Sequence, residues 1–277
     1  MAEIEIKKGL IRDLSNDAYH GEAAHLSSSN LKTLLKDPAA FYNEKILGNV
    51  KESTGSHFAV GSYFHALILE PHNVKNDFAF YDGMIKRGKE WNSFKQEEEE
   101  GKKRTILSKP QRKNVEQWVD IYNECTPAVE LLKGCESEIS LFTSIDGVDI
   151  KVRADALNAE EGYLVDLKTT SHGTDFDSIK MTCNQYSYYL SAALYTRAFS
   201  EFFGKPFDFY FVFMGKTSLT CDVYRLSQDS YFDGDRDVVK ALNLYKKCRE
   251  TGRWESEESV SGKRESTSSE DYEIKEV

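Results

Sequence analysis

Two neighbouring runs, DIKVRADAL (149–157) and YLVDLKTT (163–170), decide the fold. Side chains alternate along a strand, so Asp149, Lys151, Arg153 and Asp155 fall on one face of the first run and Ile150, Val152 and Ala154 on the other. In the second run Leu164, Asp166 and Lys168 share a face. Both runs are apolar enough to be interior, and an interior strand carries charge only where that charge is paired or bound to a metal. Just upstream, Asp146-Gly147 sits between two alternating segments, which is the pattern of a tight β-hairpin.

Working outward, LSSSNLKTLLKDPAAFYNEKIL (26–47) reads as two short helices. Ser28 or Ser29 caps the first, Leu31, Leu34 and Leu35 form its stripe, and Pro38 opens the second. FAVGSYFHALILE (58–70) has helical length and ends at Pro71, with His65 in its interior. Residues 72–114 are weakly periodic and basic, and 113–133 read as a helix. Beyond the third strand, DFDSIKMTCNQYSYYLSAALYTRAFSEFFG (175–204) reads as one long helix closed by Gly204. FDFYFVFMGK (207–216) and LTCDVYRL (219–226) are further strands, and a last helix lies around Val238 to Lys247. The expected class is α/β, a central mixed sheet flanked by helices behind a helical N-terminal part. One domain is expected over 1–254, divided into 1–133 (mostly helical) and 134–254 (sheet core). Trp254 is the last residue with something to pack, and the Ser/Glu-rich tail 255–277 is too polar to order itself.

The chain of 277 residues is 40% hydrophobic, ordinary for a globular protein. No apolar run reaches membrane-spanning length and the first residues lack the order of a secretory signal, so a cytoplasmic protein without membrane contact is expected. Five cysteines without a C-x-x-C pair suggest neither a zinc site nor a disulfide framework. A net charge of −10 disfavours an anionic partner, but the tail alone carries −5 of it, and acids that bind a cation lose their penalty.

Those acids are Asp155 and Asp166, with Glu138 on the preceding strand and Lys168 two residues beyond Asp166. Hard oxygen donors gathered in this way suit magnesium or manganese. A lysine beside such an ion could orient or deprotonate a water that attacks a phosphodiester. A structural Asp–Lys ion pair has the same spacing and is the commoner arrangement.

The order Glu138, Arg153-Ala154-Asp155, Asp166-Leu167-Lys168-Thr169-Thr170 resembles the PD-(D/E)xK nuclease core, with Ala154 where the family name has proline. His65 upstream and the Gln185/Tyr189 pair downstream stand where that family places a helical histidine and a helix with Gln and Tyr four apart. SSSNLKTLLKDPAAFY is similar to the N-terminal helical segment of exonuclease VIII-like (RecE-like) and RecB-like nucleases. Taken singly, His65 is more often a packed core histidine, and a Tyr-rich helix such as that of Gln185 and Tyr189 is more often core.

The resemblance implies a restriction-endonuclease-like core and a magnesium-dependent deoxyribonuclease, with manganese as a substitute ion. Asp155, Asp166, the Leu167 carbonyl and His65 would ligate metal, and Glu138 would support it directly or through water. Lys168 would position the attacking water, and Gln185 and Tyr189 would steady that lysine or the DNA. It further implies a 5′-to-3′ exonuclease of bacterial or phage recombination and repair, acting on linear double-stranded DNA ends. The product would be 3′ tails for a single-strand annealing protein, and the enzyme a ring-shaped homo-oligomer. Some branches hold an iron-sulfur cluster with a cysteine beside the proline that opens the second helix. Asp37 stands there, so no cluster is expected. Lys102, Lys103, Arg104 and Arg153 are candidate DNA contacts, although a solvated charged loop would look the same. An endonuclease or a flap or single-strand nuclease of the same fold, and a non-catalytic binding domain, are the alternatives.

Overall fold

The computed structural model describes residues 8–49, 56–83 and 86–255, so the acidic tail lies outside the described residues from 256 onward. A short strand β1 (Gly9–Ile11) precedes helices α1 (Asn16–Gly21), α2 (Ser28–Lys36), α3 (Pro38–Phe41), α4 (Ser56–Leu69) and α5 (Val74–Asp77). Strand β2 (Phe78–Tyr81), helix α6 (Lys89–Lys95), strand β3 (Thr105–Ser108) and helices α7 (Lys109–Glu124) and α8 (Thr126–Leu132) follow. The second half contains β4 (Glu136–Ile145), β5 (Val148–Asn158), β6 (Tyr163–Thr170), α9 (Phe176–Gln185), α10 (Tyr188–Phe203), β7 (Asp208–Gly215), β8 (Cys221–Arg225) and α11 (Gln228–Thr251).

Local chemistry accounts for the boundaries. Ser27, one residue before the expected cap, starts α2: its hydroxyl accepts from the Asn30 amide while the Asn30 side chain accepts from the Ser27 amide. Asp37 accepts from the amides of Ala39 and Ala40, and Pro38 opens α3. The helix expected over 113–133 is two helices, because Pro127 cannot continue α7 but fits the first turn of α8. Asp146 and Gly147 both take positive φ, 49° and 78°, as the tight turn between β4 and β5 requires.

The main sheet runs β1-β4-β5-β6-β7-β8. Every neighbouring pair is antiparallel except β6 and β7, which are parallel and joined through α9 and α10. Among the strands, two features have no counterpart in the sequence reading: β1 at the sheet edge, and a separate parallel pair of β2 with β3.

One side of the sheet, with Ile139, Leu141, Ile150, Val152, Ala154, Leu164, Phe211 and Phe213, packs against Leu31, Leu34, Phe41, Leu190, Leu194 and Leu242. The other side, with Ala156, Val165, Leu167, Val212 and Met214, packs against Phe64, Val115, Trp118 and Tyr122. Trp254 closes the first core by stacking on Phe41 and Tyr42 at 5.5 and 5.4 Å. Helix α11 reaches α10 through Gly234, where an added Cβ would lie 2.1 Å from the Tyr189 carbonyl oxygen. Among the described residues no helix is long and apolar enough to cross a membrane.

Candidate active site

Main-chain pairing lapses where the acids meet. The β5–β6 ladder runs from Asn158↔Tyr163 to Ala156↔Val165 and stops before Asp155 and Asp166. The β4–β5 ladder pairs Ser137↔Ala156 and Ile139↔Ala154 but skips Glu138 and Asp155 between them, and Glu138 takes φ 54°. Side-chain alternation slips here: Ala154 belongs to one core and Ala156 to the other. The parity argument therefore holds along β6, where Asp166 and Lys168 share a side, and fails in β5 at Asp155.

An amide left by a lapsed ladder still needs an acceptor. Asp155 supplies it, its Oδ2 accepting from the Leu167 N–H at 2.8 Å. The same oxygen lies 3.6 Å from Nδ1 of His65, which α4 carries across the sheet. Lys168 Nζ is 2.5 Å from Asp166 Oδ2, donates to the Leu167 carbonyl at 3.4 Å and stands 5.5 Å from the Tyr188 ring centre. Glu138, Lys168, His65, Tyr188 and Lys216 line one open cleft of about 620 Å³.

The acids are crowded and partly desolvated. Burial, and then the charge of Asp155, push the Glu138 carboxyl up to about 8. Burial also raises the Asp166 carboxyl, against the opposing pull of Lys168. Burial alone would lower the Lys168 ammonium, but Asp166 and Asp155 outweigh it and hold it above the ordinary lysine value. A divalent cation would relieve such crowding. Two strand carboxylates and a backbone carbonyl are hard oxygen donors that fit an ion such as magnesium, and the imidazole of His65 is the softer donor of the set. Among the described residues, no three His, Cys, Asp or Glu side chains are grouped closely enough to hold an ion in the positions they occupy. Lys168 and the Leu167 amide presently engage the oxygens of Asp166 and Asp155.

The helix expected to carry both Gln185 and Tyr189 is broken. Helix α9 ends at Gln185, Ser187 takes φ 50°, and α10 begins at Tyr188. Gln185 is exposed, and Tyr189 turns toward Cys183 and Ser230. The ring beside Lys168 is that of Tyr188, stacked on Phe211 at 6.2 Å. No periodicity marks Tyr188, since its position depends on the left-handed residue at Ser187.

The expected DNA contacts are also redistributed. Arg153 is buried, donating to Ser140 Oγ, Asn16 Oδ1 and the Leu14 carbonyl, so it ties the α1 segment to β5 rather than facing solvent. Lys102 pairs with Glu97 and Glu98, Arg104 pairs with Glu98, and Lys103 is exposed at φ 59°. Asp166 and Lys168 form a pair and are not lone charges. Removing one therefore strands the other.

A family model described as a PDDEXK-like domain of unknown function matches residues 27–268. No curated protein matches the sequence significantly. The crystal structure of an Eubacterium rectale protein assigned as an exonuclease superposes with a TM-score of 0.65 at 14% identity, covering 95% of this chain and 96% of that one. A phage-related exonuclease from Haemophilus somnus 129PT aligns with 84% of this chain and 99% of its own at 12% identity, with a TM-score of 0.35.

Proposed function

The chain belongs to the family of PDDEXK-like domains, and on that premise we propose that it is a divalent-metal-dependent nuclease that degrades linear double-stranded DNA from its ends. One observation carries this reading: Glu138, Asp155 and Asp166 converge with Lys168 where two strand ladders lapse, and Glu138 and Lys168 line an open cleft. A purely structural role gives no physical reason to crowd three acids there.

When bound, a divalent cation supplies Lewis acidity and neutralises the charge that develops on a phosphodiester. Asp155, Asp166, the Leu167 carbonyl and His65 would hold it, with Glu138 acting directly or through water. In the metal-free protein Asp166 and Asp155 hold Lys168 charged. Beside a bound ion Lys168 orients the attacking water or a phosphate oxygen. Magnesium is the ion of this proposal, with manganese as substitute. The 5′-to-3′ direction, the 3′-tailed product, an annealing partner and a ring of subunits rest on the likeness to exonuclease VIII-like enzymes alone.

The test uses linear duplexes labelled at either end and a closed circle, with magnesium or with a chelator. Magnesium-dependent release of the 5′ label, with the circle left intact and Asp166→Asn inactive, is expected. Cutting of the circle would replace the exonuclease with an endonuclease. Absence of metal-dependent turnover on every substrate would overturn the proposal.

A further inference from the structure

We infer that Lys32, on α2, binds a phosphate of the DNA strand next to the one that Lys168 addresses, with the Tyr188 ring as the spacer that fixes the two ammonium groups. This inference rests on the nuclease reading above and adds a substrate-binding residue to the same site.

The geometry is that of a cation set toward the centre. Lys32 Nζ stands 5.3 Å from the centre of the Tyr188 ring, the ring that Lys168 Nζ approaches at 5.5 Å. Its stem is anchored, because Leu31 and Leu34 on the same helix are fully buried in the first core. Tyr188 is fixed in turn by stacking on Phe211 at 6.2 Å.

What Lys32 lacks is an anion. Two other lysines withdrawn from solvent are satisfied by the protein: Lys151 donates to the carbonyls of Tyr19 and Glu22 and lies 3.5 Å from the Glu22 carboxylate, and Lys45 donates to the His25 carbonyl. Among the described residues, no carboxylate lies within ion-pair distance of Lys32. The nearby acid Asp166 is already engaged by Lys168. Burial, and then the charge of Lys168, push the Lys32 ammonium down to about 8, so the free protein holds this charge at a cost that a bound anion would remove.

In a chain of net charge −10, two lysines on one ring, only one of them matched by an acid, are an arrangement for a polyanion. Consecutive phosphates of a strand present charge at short regular intervals, whereas a small anion would need only one of the two heads. The basic residues Lys102 and Arg104 are poorer candidates, because Glu97 and Glu98 already compensate them.

The test compares Lys32→Ala, Lys32→Gln and Lys32→Arg with the parent, and with Lys240→Ala as a control for loss of one exposed charge elsewhere. Steady-state cleavage in magnesium and equilibrium binding of a labelled DNA end in chelator are each measured across a salt series. Lys32→Ala and Lys32→Gln should raise KM about tenfold with kcat within about twofold, and should lower the salt slope of binding by about one. Lys32→Arg should restore most of both, and Lys240→Ala should match the parent. A parent-like KM and slope in Lys32→Ala, or recovery by glutamine, would overturn the phosphate contact while leaving the nuclease intact. A parent that neither binds nor cuts DNA would remove the underlying reading and this inference with it.

Discussion

The carboxylate of Asp155 reaches across to the backbone of Leu167 and accepts its amide at 2.8 Å, at the place where β5 and β6 have ceased to pair. A charged side chain thus stands in for a missing main-chain acceptor while remaining beside His65. The two duties separate by substitution. Asparagine keeps an acceptor for the amide and loses the charge, so Asp155→Asn should fold like the parent yet lose at least about a hundredfold in cleavage rate. Alanine leaves the amide unpaired, so Asp155→Ala should also lose about 1–3 kcal/mol in urea unfolding. Equal stability of the two variants would show that the contact does not support the fold.

Glu138 gives the metal-free protein a pH dependence of definite sign. Burial and Asp155 raise its carboxyl to about 8, so across the window from the ordinary glutamate value up to about 8 the folded state binds more protons than the unfolded chain. Stability is fully present below that window and falls as pH rises through it. Glu138→Gln, which cannot ionise, should flatten the fall and exceed the parent near the upper end. Urea midpoints of both proteins in chelator, measured at about pH 5 and about pH 8, decide the matter. A parent that gains stability with pH across this range would contradict it.

The two adjacent tyrosines should behave differently. Tyr189 turns away from Lys168 and Tyr188 faces it. Tyr189→Phe should cut within about threefold of the parent, while Tyr188→Ala, which removes the ring beside both lysines, should lose about tenfold or more in kcat/KM. The reverse ranking in a cleavage assay would return the role to Tyr189.

Much of this site was legible from strand periodicity and residue order. Asp166 and Lys168 share a face because β6 is regular, and the Asp146-Gly147 turn fixed the hairpin that brings Glu138 opposite Asp155. Three features escaped. The slip of alternation at Asp155 depends on Glu138 taking a left-handed conformation that glutamate disfavours, so no propensity announces it. The break before Tyr188 depends similarly on Ser187. The role of Arg153 was invisible because its acceptors, Asn16, Leu14 and Ser140, come from distant parts of the chain that meet only on folding.

Helix α11 depends on a missing side chain. Gly234→Ala would force a Cβ to within 2.1 Å of the Tyr189 carbonyl oxygen and 3.0 Å of the Ala193 Cβ. Backbone cannot yield cheaply, so the variant should lose roughly 1–3 kcal/mol or more despite the better helix propensity of alanine. Calorimetry that finds it as stable as the parent would mean that α10 and α11 can slide apart.

The cleft is lined by His65 of α4, Glu138 of β4, Lys168 of β6 and Tyr188 of α10, segments far apart along the chain. Such a centre has no partial form: helices and hairpins assemble early from near neighbours, whereas long-range closure waits for the whole chain. During refolding, catalytic competence should therefore return with the slowest kinetic phase, well after the far-ultraviolet signal of the helices has recovered.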